Sequence, residues 1–177
     1  MNNLSRILCK IDACESAIIY AGTYSTWLDA LANCHNWTWV WWLAVRLTEL
    51  GTLRREVLEE FVTHVAEMTI HAGPEGPREE CLKDLREGKA GECYTKMNHA
   101  DSYAAGLVHR VVGVALKARY ALSEGRYVYT DGRVFLSAAL DFIHVPVFSR
   151  AQFINMTLGR DVLEGVLKYE EEEEMCE

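Results

Sequence analysis

Apolar residues return at helical spacing along almost the whole chain. Leu4, Ile7, Ile11, Cys14, Ile18 and Ala21 form one stripe that closes at Gly22, the three-four alternation of an amphipathic helix. Ser25 and Thr26 can cap a second helix, from Trp27 to about Cys34, with Asp29 as capping-box partner of Thr26. A third helix is expected from Thr38 to Leu50, stopped by Gly51 in the left-handed conformation, and a fourth from Leu53 to His71. Gly73-Pro74-Glu75-Gly76-Pro77 then breaks the chain. Beyond it come a short polar helix over 78–87, a connection over 88–91 and a long Ala-rich helix from Tyr94 to Leu122. Residues 125–132 alone have strand character, in Tyr127-Val128-Tyr129-Thr130 ahead of Asp131-Gly132, and allow a short hairpin near 126–134. Helices from Val134 to Ile143, and from a second capping box at Ser149-x-x-Gln152 to Tyr169, complete the pattern. The expectation is all-α: a single-domain bundle or irregular array of about seven to eight helices over residues 1–169, with a subdivision near 73–77.

Composition narrows the function classes. The chain has 177 residues, 50% of them hydrophobic, enough to bury a core without a disulfide or metal staple. Its longest apolar run, Trp39 to Val45, falls far short of the roughly 20 residues a bilayer requires. Arg6 and Lys10 interrupt the first apolar stretch, which is therefore not a signal peptide; the expected location is the bacterial cytoplasm. Net charge is −8, but residues 164–177 hold seven acids and one base, leaving 19 acids against 17 bases in the body. A nucleic-acid mimic needs anionic charge across its folded surface, and this body lacks it. Glu170 to Glu174 repel one another, and residues 170–177 are expected to form a disordered acidic tail. Six cysteines with no C-x-x-C spacing point to reduced, buried thiols rather than a disulfide scaffold or zinc ribbon.

Four tryptophans fall within six residues, at 37, 39, 41 and 42. At about 100° per residue Trp39 and Trp42 share a face and Trp41 points away from it. Trp39 and Trp42 are then core, and a third ring is either half-buried at an element junction or, as Trp37 or Trp41, exposed where it can anchor a partner.

These residues also carry a resemblance. Ala13-Cys14-Glu15-x-Ala17-Ile18-x-x-Ala21-Gly22, followed by Trp27, Cys34 and Trp39-x-x-Trp42-Leu43-Ala44, resembles the immunity-five-like group of bacterial immunity proteins, which also occurs in phage genomes. The match covers about the first 45 residues, mainly 13–44, with a weaker echo at Tyr94, Lys96, Ala100 and Ala104. Trp37 and Thr38 stand where the group has Gly-Asp, and Thr38 is expected to keep the capping role. The resemblance implies an all-helical, non-enzymatic protein, without cofactor, that neutralises another protein.

Two constellations carry candidate chemistry. Glu60, His64, Glu67 and His71 line one helical face, but the two imidazoles are about 10 Å apart along the axis, too far to share one metal ion; a solvated face is the expectation. Lys96, His99, Tyr103, Gly106, Arg110, Gly113 and Lys117 follow a 3-4-3-4-3-4 spacing on one face of the long helix, opposite an apolar stripe of Ala100, Ala104, Leu107, Val111, Val114 and Ala118. Three bases flanking two glycines and a tyrosine suit an anion or an acidic partner; the alternative is that the glycines pack against a neighbouring helix. Nucleophile-elbow, zincin and P-loop motifs do not occur, nor does the dense basic-aromatic cluster of sequence-specific nucleic-acid binders.

The expected function is stoichiometric inhibition of another protein, a toxin or a defence component, by an immunity or phage counter-defence protein (an anti-CRISPR protein being one form). The expected contact residues are Trp37, Trp41, Lys96, His99, Tyr103, Arg110 and Lys117, with no catalytic or metal-binding residue, and the expected state is a monomer or homodimer. Two alternatives stand beside it: a small enzyme or small-ligand protein using the Lys96–Lys117 face with His99 as acid or base, and a self-associating structural protein that buries Trp37 or Trp41.

Overall fold

A computed structural model describes residues 2–124 and 129–175. In chain order it contains α1 (Asn3–Lys10), α2 (Glu15–Ala21), α3 (Trp27–Ala32), α4 (Trp37–Glu49), α5 (Arg55–Ala72), α6 (Arg78–Glu87), α7 (Ala90–Asn98), α8 (Tyr103–Ser123), α9 (Tyr129–Phe142) and α10 (Arg150–Glu174). There is no strand among the described residues; the fold is all-α. Two compact units emerge, one from residues 1–54 with 148–177, the other from residues 55–147. The Gly/Pro-rich break at 73–77 is the turn between α5 and α6, inside the second unit.

In the first unit α10 packs along α3 and α4, and α2 lies between α1 and α3 in contact order. Local chemistry sets the ends. Asn2 caps α1, its Oδ1 accepting from Ser5 N at 2.9 Å, and its Nδ2 donates to Tyr24 O at 2.7 Å. The expected single helix over 4–21 is two, because Asp12 takes a left-handed φ of 61°. Ala13 N then donates back to Leu8 O at 2.9 Å and closes α1. Thr26 caps α3 through Asp29 as expected, accepting from Asp29 N at 3.1 Å and donating to Oδ2 at 2.7 Å. Asn36, not Thr38, caps α4: Asn36 Oδ1 accepts from Thr38 N at 3.1 Å and from Thr38 Oγ1 at 2.6 Å. Gly51 adopts φ 81° behind α4, as its position requires.

The expected capping box at Ser149 does not form. A short 3-10 turn over Val147–Ser149 runs straight into α10, so Ser149 has ψ −5° and makes no cap hydrogen bond; a cap needs extended backbone there. Nor does α10 end at Tyr169. It continues to Glu174, because its glutamates have partners: Glu170 accepts from Asn3 Nδ2 at 2.7 Å and from Trp27 Nε1 at 2.9 Å, and Glu173 pairs with Lys10. Acids at a helix C-terminus oppose the macrodipole, and these contacts offset that cost. Cys176 and Glu177 lie outside the described residues.

In the second unit α5, α8 and α9 pack on one another, and α6 and α7 pack on α8. Phe135, Leu136, Ala139 and Leu140 are buried on α9, facing a core with Leu58, Phe61, Val62 and Val65 of α5. That period holds α9 helical from Tyr129, which overturns the hairpin for residues 129–134; 125–128 lie outside the described residues. The long helix expected over 94–122 is also two. His99 is the C-cap of α7, and Ser102 Oγ accepts from Ala105 N at 3.2 Å to start α8. Most of α8 is buried all round, including Val108, His109, Val112 and Ala115, whereas Ala104 of the expected apolar stripe is exposed.

Candidate functional site

The break between α7 and α8 divides the expected binding stripe. Lys96 turns inward, its Nζ 2.6 Å from Asp84 Oδ2 and 3.0 Å from Glu80 Oε1. Burial alone lowers the Lys96 ammonium, but hydrogen bonds to Asp84 and Glu80 outweigh it and hold the group above its ordinary range. Asp84, only 2% exposed, also accepts from Cys93 Sγ at 3.7 Å. This is a clamp between α6 and α7, so Lys96 is not a free contact residue. His99 is exposed, on the wall of a hollow that Glu80, Lys96, Ser102 and His109 also line. Gly106 and Gly113 are buried; a Cβ on Gly106 would sit 3.2 Å from Met97 O, so that glycine serves the approach of α7 to α8.

Trp41 is fully buried, 0% exposed, which overturns it as a partner anchor. Along α4 the residues Val40, Trp41, Leu43, Ala44, Val45 and Leu47 are all buried; a helix covered on more than one side has no single core face. Trp37, Trp39 and Trp42 are half-buried, with Trp39 tilted against Tyr20 at 5.6 Å between centroids. Cys9 and Cys14, expected inside, are exposed, whereas Cys34, Cys81 and Cys93 are buried.

One Cys–His pair forms that the sequence does not announce: Cys81 Sγ lies 3.3 Å from His109 Nδ1. Burial pushes the Cys81 thiol up to about 12, with Cys93 and Asp84 adding to the effect. Burial also lowers His109. Both groups are held neutral at ordinary pH, the reverse of an activated thiolate–imidazolium pair. Among the described residues no group of three or more His, Cys, Asp and Glu could hold a metal ion, and Glu60, His64, Glu67 and His71 are all exposed on α5.

A trough of about 940 Å³ lies between α8 and α9, with the turn after α5 at one end. Its floor is apolar, with Ala104, Leu107 and Val111 from α8 and Val134, Ala138 and Phe142 from α9. Leu107 and Phe142 are half-buried and Val134 is 51% exposed. Tyr103, 83% exposed, stands at one lip. Arg110 rises from α8 and Arg133 from α9, both exposed and neither with an ion-pair partner among the described residues. Asp141 and His144 complete the wall, His144 holding a left-handed φ of 57°.

Of the expected contact residues, the trough brings together Tyr103 and Arg110. Lys117 is exposed elsewhere, beside Tyr120 and Asp131. The helix expected from Val134 to Ile143 supplies the α9 wall, but none of its residues stood among the expected contacts. Its signal was present in Val134, Ala138 and Phe142, which recur every four residues. Comparison with protein-family models, curated proteins and solved structures finds no match to this chain.

Proposed function

We propose that this chain is a non-enzymatic protein that binds another protein in a fixed ratio and blocks it sterically, with the α8–α9 trough as its contact surface. The observation that carries this reading is the trough: an apolar floor between two arginines without an ion-pair partner among the described residues, with an exposed tyrosine at the lip. Tyrosine and arginine are the side chains most enriched where proteins anchor one another. Lys96, which the enzyme alternative would need on its surface, is instead ion-paired with Asp84 and Glu80. The immunity-like pattern in residues 13–44 supports inhibition of a toxin, or of a defence component if the gene is phage-borne, inside a bacterial cell. No described helix is long and apolar enough to cross a membrane.

The test is affinity capture from bacterial lysate with three baits: the unaltered chain, Arg110→Glu/Arg133→Glu, and His64→Ala/Glu67→Ala on the outer face of α5. The expected result is a protein held in a constant molar ratio by the first and third baits and lost by the second. Equal retention by all three would contradict the assigned surface.

A further inference from the structure

We infer that the trough's occupant is an acidic, amphipathic α-helix of its partner protein, a deeper statement of the binding function that rests on that reading. The shape comes first. Leu107 and Val111 on α8, and Val134, Ala138 and Phe142 on α9, recur at four-residue steps. Such rows form the ridges between which another helix seats its own side chains. At 1.5 Å per residue the rows span roughly 6 Å on α8 and 12 Å on α9, about one and two helical turns. α5, α8 and α9 already pack on one another, and a helix laid in the outer trough makes a fourth member of a bundle. It covers Val134, Leu107 and Phe142, which the fold leaves partly open to water.

Charge selects the sign of that helix. Residues 55–147 hold 14 acids against 11 bases, yet each wall of this trough presents an arginine with no ion-pair partner among the described residues. Carboxylates on both flanks of a docked helix meet Arg110 and Arg133, whose planar guanidinium groups bind carboxylate in a fork. A basic helix meets two like charges, and an extended acidic strand leaves the apolar floor uncovered.

Fluorescence anisotropy on the full chain tests this with labelled synthetic peptides of about four turns. One peptide carries Leu and Phe at i, i+3, i+4 and i+7 with Glu on both flanks. A second replaces every Glu by Lys. A third has the first one's composition scrambled to remove the apolar face. The first should bind at least about tenfold tighter than either control at about 100 mM salt, and weaken as salt rises. Arg110→Glu/Arg133→Glu, two exposed changes, should invert the order of the first two. Equal binding of all three, preference for the basic or scrambled peptide, or no binding by the first overturns the inference. If the peptides fail while lysate capture still depends on the two arginines, the occupant is wrong and the binding function stands. If both fail, so does the function.

Discussion

Asp84 is the residue whose surroundings determine most about its neighbours. Its buried carboxylate takes the Lys96 ammonium and the Cys93 thiol at once. Removing one partner of a buried ion pair leaves the other uncompensated. Lys96→Met should therefore lower the unfolding free energy by about 3–5 kcal/mol, and Lys96→Met/Asp84→Leu should recover much of it, as urea titration would show. The thiols set an alkaline limit. Burial pushes Cys81 and Cys93 from 9.0 up to about 12. Above pH 9 the unfolded chain sheds protons that the folded chain keeps, so stability is full below that point and falls as pH climbs toward 12. Cys81→Ala/Cys93→Ala should flatten the decline of the thermal midpoint between about pH 9 and 11. On the acid side, lowering of His109 from 6.5 makes the unfolded chain the better proton acceptor, so stability is lost as pH falls below that value. None of this was legible in the sequence. Cys81, Asp84, Cys93 and His109 come from three helices, and no spacing along the chain brings them together.

Elements were legible where one face is buried and a cap is local. Thr26 with Asp29 and α6 with Gly88 behind it (φ 74°) fall where the pattern puts them. Two of the misses, the single helices expected over 4–21 and 94–122, share one cause: a side-chain period that continues in phase across a break. Ile11, Cys14 and Ile18 carry the α1 stripe past the left-handed Asp12, and Lys96, His99 and Tyr103 keep step past the Ser102 cap. The acidic end of α10 is the reverse case, where composition argued for disorder and contacts with Asn3, Lys10 and Trp27 supply order. Glu170→Ala leaves the indole N–H of Trp27, a residue 5% exposed, without its acceptor, and should cost about 1–3 kcal/mol in chemical denaturation. Gly73, after α5, is a position of close approach: a Cβ there would lie 2.5 Å from Val108 Cγ2. Gly73→Ala should destabilise by about 1–3 kcal/mol, read as a drop in thermal midpoint.

For the whole molecule, the pattern of residues announced an all-α chain but not its division. The chain leaves the first unit after Arg54 and returns at Phe148, and neither crossing falls in a Gly/Pro run. The binding surface was half legible, through Tyr103 and Arg110 on α8. Its other half lies on α9, whose helix the pattern places from Val134, but only the packing of α9 on α8 sets Arg133 and Val134 across from them. Tryptophan density drew attention to α4, yet density alone cannot separate core from surface, and Trp41 is core. The central claim is that the α8–α9 trough is where this protein meets another. Amide hydrogen exchange of the chain, alone and with its captured partner, tests that claim most directly. Exchange should slow over 103–111 and 133–144 and stay unchanged along the outer face of α5. Protection confined to the tryptophan segment, or to α5, or nowhere, would contradict it.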